Sequence, residues 1–120
     1  MARYTHLKIY KDNFSLFLQF NKYLPTMSKK YKYTIGNEIQ QLLLQNFRLI
    51  IQINRDSSSC VKQETIEKLI INIEELLILF RSLSFLRELS RNSYLEFSAL
   101  GLEIVKQAEG WLKYLSKKNL

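Results

Sequence analysis

The sequence predicts an all-α protein, an antiparallel up-down-up-down four-helix bundle formed by a single domain over residues 1–120. Apolar residues make up 47% of the chain, yet it contains only three glycines and one proline, too few for the many turns of an all-β domain. Long segments repeat apolar residues at spacings of three and four, the period of an amphipathic helix. Short connections between these segments favour antiparallel packing of neighbouring helices.

The first helix is predicted over residues 5–24. Two apolar stripes run along it: Leu7, Tyr10, Phe14, Phe17 and Leu24 form one, and Ile9, Leu16, Phe20 and Tyr23 form the other. One stripe is enough to face a bundle core. The second stripe therefore predicts cover from another part of the chain or from a second subunit. Pro25 ends the helix because proline disfavours helical geometry in the residue before it.

The second helix is predicted over residues 28–54, with a start that the sequence leaves open between Thr26 and Thr34. Its apolar stripe begins at Ile35 and ends at Ile53. Gly36 interrupts this stripe, and a glycine inside a helix costs about 1 kcal/mol relative to alanine. The glycine indicates either a close crossing by another helix or a helix that begins after it.

The third helix is predicted over residues 61–90, after the polar loop at residues 55–59, where Ser58 or Ser59 can cap it. Its apolar residues again form a main stripe and a broader second one. Arg87 and Arg91 lie four residues apart at its end, so we expect them to project to one side. Their charges also suit the dipole at a helix C-terminus, which is the alternative explanation for their position.

The fourth helix is predicted over residues 93–117. It opens on Ser93-Tyr94-Leu95-Glu96, which fits the S-x-x-E capping box, where serine and glutamate each bind an unpaired backbone N–H. An apolar stripe from Phe97 to Leu115 follows. Gly101 and Gly110 interrupt the stripe without ending it.

The net charge of +7 is concentrated in the first third of the chain. Residues 1–36 contain seven basic side chains and one aspartate, a net charge of +6. Residues 37–91 contain seven of each sign, and residues 92–120 contain four basic and three acidic side chains. This distribution is typical of a surface that binds a polyanion, and a solvated basic face without a partner is the alternative.

The most basic stretch interleaves lysines with tyrosines, Lys29-Lys30-Tyr31-Lys32-Tyr33. Lysines neutralise phosphates and release the counterions around them. Tyrosines can stack on unpaired bases, which suits single-stranded or looped RNA. The alternative is that both tyrosines pack inward, as buried aromatic residues of helices do.

No catalytic or metal-binding pattern occurs in the sequence. Cys60 is the single cysteine and has no base within sequence reach, and His6 is the single histidine. Glu74 and Glu75 are adjacent, so on a helix they point about 100° apart and cannot form a catalytic dyad. Phosphate-binding loops, nucleophile elbows and zinc-protease motifs are absent. We expect a non-enzymatic protein with no metal, no cofactor and no small-molecule substrate.

The apolar runs are short and broken by polar residues, and the first residues lead into no apolar run of the signal-peptide type. Neither a membrane span nor a secretory signal is therefore expected. We predict a soluble, cytoplasmic protein.

Three stretches are similar to one known family: Ile9-Tyr10-Lys11 before an aromatic-rich helix, Lys30-Tyr31-Lys32-Tyr33-Thr34-Ile35-Gly36, and Gly110-Trp111-Leu112-Lys113. In these three stretches the chain resembles the Avd proteins, the accessory variability determinants of diversity-generating retroelements. The Tyr-Lys-Tyr-Thr-Ile-Gly run is the most specific part. The resemblance implies four-helix bundles assembled into a homopentameric barrel. It also implies a basic surface that binds nucleic acid and the retroelement's reverse transcriptase, in support of mutagenic reverse transcription of a template RNA.

A sister branch, encoded in intervening sequences of large-subunit ribosomal RNA genes, shares the bundle. It typically contains a Ser-Ile-Pro-x-Asn-Ile-Ala-Glu-Gly run in helix two. The corresponding region here, residues 46–54, has no proline and no Ala-Glu-Gly, which favours the retroelement branch. The chain also departs from many Avd proteins, in which Phe-Pro often precedes the basic run. It has Leu24-Pro25 instead, with three residues between Pro25 and the lysines.

We therefore predict a nucleic-acid-binding accessory protein whose partners are RNA, the reverse transcriptase, further copies of itself and, as an open alternative, DNA. The rival predictions are a standalone bundle of the ribosomal intervening-sequence type and a structural protein-interaction bundle. Contacts with nucleic acid or with the reverse transcriptase are assigned to six basic residues, namely Lys22, Lys29, Lys30, Lys32, Arg87 and Arg91.

Overall fold

The computed structural model describes Tyr4, residues 7–56 and residues 58–118. The helices of this part are α1 (Lys8–Tyr23), a 3₁₀ turn (Leu24–Thr26), the short α2 (Lys29–Lys32), α3 (Ile35–Arg55), α4 (Ser59–Phe85) and α5 (Arg91–Lys118). No strand occurs within these ranges. The molecule is elongated, with extents of 49 × 23 × 21 Å, because its longest helices lie side by side along one direction.

The four long helices pack in the cyclic order α1, α3, α4, α5, and α5 returns to α1. Side-chain pairs show that α1 and α3 are antiparallel, since Asn13 bonds to Asn46 while Asn21, further along α1, bonds to Gln40, earlier in α3. The predicted helical bundle is confirmed. This order places the α1–α3 face on the opposite side of the bundle from the α4–α5 face.

The core is formed by one apolar stripe from each long helix. On α1 it is the stripe that contains Ile9, Leu16 and Phe20, whereas Phe14 of the other predicted stripe is exposed. Three aromatic rings meet in this core: Phe20 of α1, Phe80 of α4 and Phe97 of α5 have centroids 5.5–6.2 Å apart. Such separations are those of favourable edge and tilted ring pairs. Other fully buried large side chains of the described residues include Ile9, Leu16, Ile39, Leu43, Ile50, Ile66, Leu69, Ile73, Leu76, Leu83 and Ile104.

The predicted second helix is divided in two. α2 ends at Lys32 and α3 begins at Ile35, because Thr34 has a ψ of −91°, outside the helical region. Gly36 is buried in the first turn of α3, where an added Cβ would lie 2.7 Å from Leu24 Cδ1 and 3.3 Å from the Tyr31 carbonyl oxygen. The glycine therefore permits a close approach, as in the first of the two alternatives, but the approaching segment is the 24–32 connection rather than another long helix.

The predicted boundary between the last two helices is wrong at both ends. α4 ends at Phe85, five residues early, where Glu88 N–H donates to the Leu83 carbonyl and Arg87 N–H donates to the Ser84 carbonyl. These two bonds form a Schellman motif, which closes a helix. α5 then begins at Arg91, and Ser90 rather than Ser93 is its cap, since Ser93 N–H donates to Ser90 Oγ over 3.2 Å.

Candidate nucleic-acid interface

The two connections at one end of the bundle are joined by hydrogen bonds. The Tyr23 hydroxyl donates to the Glu88 carbonyl oxygen over 3.1 Å and accepts the Ser90 N–H over 2.9 Å. The Ser28 N–H donates to Glu88 Oε1 over 2.7 Å. The 24–34 connection is thereby docked on the 86–90 connection, and we call this region the connector end.

All six predicted binding residues lie in or beside the two connections of the connector end. Lys30 and Lys32 belong to the 24–34 connection. Lys22 is in the last turn of α1, and Lys29 directly follows the docked Ser28. Arg87 and Arg91 flank the 88–90 segment that these bonds hold. The side chains of Lys22, Lys29, Arg87 and Arg91 are all exposed at this end of the bundle, although they lie far apart in sequence.

Arg87 and Arg91 do not have the helical i, i+4 relation that the sequence predicted. Arg87 follows the end of α4 and has a φ of 61°, while Arg91 is the first residue of α5. That prediction is wrong because the helix ends before either residue. The two side chains nevertheless line one shallow groove, whose other lining residues are Tyr23, Ser84, Leu89, Ser90, Tyr94 and Leu95.

Lys30 and Lys32 pair with tyrosine rings rather than lining the arginine groove. Lys30 Nζ lies 5.4 Å from the Tyr31 ring centroid, and Lys32 Nζ lies 5.9 Å from that of Tyr33. Both distances are within the range of a cation–π interaction. Tyr31 is half-buried against the core, as inward packing requires, but Tyr33 is 66% exposed and does not pack inward.

Acidic side chains moderate the charge of this end at two points. One carboxylate oxygen of Glu88 accepts the Ser28 N–H. Glu96 of α5 lines a second groove that also contains Lys22 and Tyr23. Lys22 therefore faces a mixed groove between α1 and α5, whereas the neighbouring groove contains two arginines and lacks an acidic lining residue.

Not every lysine of the basic first third is available to a polyanion. Lys8 Nζ lies 2.9 Å from Asp12 Oδ2 and 3.5 Å from Glu103 Oε2. The hydrogen bond to Asp12 raises the pKa of the Lys8 ammonium, with further contributions from both carboxylates. Lys8 is thus matched by acids and offers little unpaired positive charge to a polyanion.

Sequence reasoning missed the residues that build the site, Tyr23, Ser28, Glu88 and Ser90. Tyr23 was placed in an apolar stripe, and its ring does pack on Phe97. Its hydroxyl, however, bridges two backbone groups 65 and 67 residues away. No helical periodicity signals such a bond, because its partners lie in a connection between helices.

Two further properties of the described chain bear on function. Within residues 7–56 and 58–118, no group of three or more His, Cys, Asp or Glu side chains is placed to hold a metal ion. None of the helices in the part that the structure describes has the length and apolarity needed to cross a membrane.

Comparison with known proteins leaves the family open. No protein-family model matches the chain, and no characterised protein or solved structure shows significant similarity to it. The likeness to Avd proteins therefore depends on the three quoted stretches alone.

Proposed function

We propose that this protein is a non-enzymatic, nucleic-acid-binding accessory subunit of a diversity-generating retroelement. It binds the template RNA and the reverse transcriptase and supports mutagenic cDNA synthesis. The observation that carries the proposal is the connector end, where Lys22, Lys29, Arg87 and Arg91 are exposed around two connections that hydrogen bonds hold together. The resemblance of the Lys30–Gly36 stretch to Avd proteins supplies the retroelement context.

Elementary electrostatics favours a nucleic acid as the ligand of this surface. Arginine binds phosphate oxygens through two parallel N–H donors, and lysine binds them as a compact charge. A groove with two arginines and no acidic lining residue suits one or two phosphates, and the adjacent lysines extend the contact along a backbone. The ordering of the surface by Tyr23 and Glu88 lowers the entropic cost of binding.

The proposal includes assembly into a homopentamer, which the family resemblance suggests and which the exposed apolar residues support. Ile71, Ile78 and Phe85 repeat every seven residues along the outer side of α4, and all three are exposed. Phe14 and Leu18 are exposed on α1, across the bundle. A ring of identical subunits requires two different faces on each subunit, and the chain presents two apolar ones.

The second candidate is a protein-interaction bundle without a nucleic-acid role. The exposed α4 stripe favours it, since Phe85 is 77% exposed and lies beside Ile78 and Leu86 in one surface groove. Under this alternative the connector end is a solvated basic surface. The two candidates differ in whether RNA binding depends on the basic residues.

Charge reversal tests the proposed function. The triple variant Lys22→Glu, Lys29→Glu and Arg91→Glu should lose affinity for a single-stranded RNA by on the order of tenfold or more at 0.1 M salt. Its matched control reverses Lys106, Lys113 and Lys117, three exposed lysines further along α5. The control has the same net charge and should lose much less affinity. Equal losses, or none, would contradict the site.

The partner protein is tested separately. Co-expression with a retroelement reverse transcriptase should give a complex that survives purification, and the connector-end triple variant should weaken it if the polymerase shares this surface. A charge-reversed protein that still binds RNA normally would remove the connector end from the proposal. Failure of every reverse transcriptase tested to bind, with salt-insensitive RNA binding, would favour the protein-interaction bundle.

A further inference from the structure

Tyr33 is a large aromatic side chain that the fold leaves in solvent. It is 66% exposed, whereas Tyr31, two residues earlier, packs against the core cluster. Lys32 Nζ lies over the Tyr33 ring at 5.9 Å from its centroid. Because Lys32 occupies one face of a ring that is 66% exposed, we take the opposite face as the one that can receive a flat ligand.

The backbone around Tyr33 is fixed on both sides. Thr34 Oγ1 donates to the Lys30 carbonyl over 2.8 Å, and the Ser28 N–H is bound to Glu88. The Tyr31 carbonyl lies 3.3 Å from where a Cβ of Gly36 would stand, so the connection and the start of α3 touch closely. The exposed ring is therefore presented by an ordered segment.

The charges around the ring are mainly positive. Lys29, Lys30 and Lys32 lie within four residues on its N-terminal side. The acids on the neighbouring segments are Glu38, exposed in the first turn of α3, and Glu88, which accepts the Ser28 N–H. Aromatic rings beside several cations suit a ligand with flat bases along an anionic backbone.

We propose that Tyr33 is a stacking platform for an unpaired base, and that the connector end consequently selects single-stranded over duplex nucleic acid. The base lies on the free face of the Tyr33 ring, while Lys30 and Lys32 contact the flanking phosphates. A duplex cannot engage the ring in this way, because its bases are already stacked and paired. This inference depends on the proposed nucleic-acid function and specifies its ligand class.

Substitution of Tyr33 tests the platform. Binding is measured to three ligands of equal length: a single-stranded oligonucleotide, the same backbone with abasic sites, and a duplex. Tyr33→Ala should weaken binding of the base-containing single strand by about 5- to 150-fold, the equivalent of about 1–3 kcal/mol per stacked base. Its affinity for the abasic strand and the duplex should stay unchanged, and Tyr33→Phe should retain most of the single-strand affinity.

Tyr114 provides a matched control, because it is 64% exposed on α5 at the other end of the bundle. Tyr114→Ala should leave all three affinities unchanged. The thermal midpoints of all variants should equal that of the parent protein, since each ring lies in solvent. An equal effect of Tyr33→Ala on all three ligands would overturn base stacking.

Failure of the platform is distinguishable from failure of the proposed function. If Tyr33→Ala has no effect while the connector-end charge reversal still weakens binding, the ring is not a platform and the phosphate site stands. If the parent protein binds none of the three ligands at low salt, both the inference and the proposed function are wrong.

Discussion

Arg87 has a backbone conformation that glycine normally supplies. With a φ of 61°, it occupies the left-handed position of the Schellman motif that ends α4. This conformation costs a residue with a Cβ about 1–2 kcal/mol. Strained residues of this kind cluster at functional sites, and we connect this one with the proposed binding groove that Arg87 shares with Arg91.

Replacement of this residue should change stability and binding in opposite directions. Arg87→Gly should raise the free energy of unfolding by about 0.5–1 kcal/mol, since relief of strain exceeds the added entropy of the unfolded chain. The same change should weaken RNA binding, because it removes a guanidinium. Urea unfolding and RNA titration measure the two effects.

Arg81→Gly is the matched control, since Arg81 is exposed inside α4. There glycine should lower the free energy of unfolding by about 1 kcal/mol. A loss of stability in Arg87→Gly similar to that of the control would show that the left-handed conformation carries no strain.

At the scale of elements, the three glycines have different roles that sequence could not separate. Gly36 is in close contact with Leu24 and Tyr31, and a Cβ at Gly101 would lie 3.0 Å from Leu77 Cδ2, where α4 and α5 cross. A Cβ at Gly110 would meet nothing within 4 Å. All three interrupt apolar helical patterns, so only the packing distinguishes required glycines from tolerated ones.

Alanine substitution should reveal this difference. Gly110→Ala should stabilise the protein by about 1 kcal/mol, the propensity difference between glycine and alanine in a helix. Gly36→Ala should destabilise it, because overpacking against a backbone carbonyl typically costs about 1–3 kcal/mol and outweighs that gain. Thermal unfolding of both variants provides the comparison. A stabilised Gly36→Ala would mean that the connection can move away from α3.

The sequence predicted the long helices well and their connections poorly. Periodicity over many residues determines a helix, whereas the end of α4 is set by a Schellman motif at Arg87, which lacks the usual glycine. The buried polar chain was also missed. Asn46 donates to Asn13 and accepts from Asn72, and Asn13 and Asn46 are fully buried. Their polarity excluded them from the apolar stripes.

Only part of the candidate site could be predicted, because its residues are brought together by contacts between distant parts of the chain. Charge counting located Lys22 and Lys29, and the spacing of four singled out Arg87 and Arg91, but neither signal could show that these residues share one end. That juxtaposition depends on Tyr23 and Glu88, which connect residues 60 to 67 positions apart through hydrogen bonds. A long-range contact of this kind has no signature in local composition.

At the scale of the whole molecule, the apolar surface residues predict assembly. The double variant Ile78→Glu and Phe85→Glu adds charge to the outer side of α4, where both side chains are exposed. We expect the parent protein to form an oligomer and this variant to form a smaller species, as measured by light scattering. Its helix content should be unchanged, because neither residue belongs to the core.

The opposite outcome is informative. A monomeric parent protein would remove self-assembly from the proposed function. An oligomer that the double substitution leaves intact would mean that a different face, such as the one with Phe14 and Leu18, forms the whole contact.

The central claim is that the connector end binds nucleic acid through its phosphates. The most direct test is the affinity for a single-stranded RNA as a function of salt concentration, for the parent protein and for a variant with Lys22, Lys29, Arg87 and Arg91 replaced by glutamine. The slope of log affinity against log salt is about −0.7 per phosphate neutralised on single strands. We predict a steep slope for the parent protein and one shallower by about 2.8 for the variant. A flat slope, or equal slopes in the two proteins, would contradict the account.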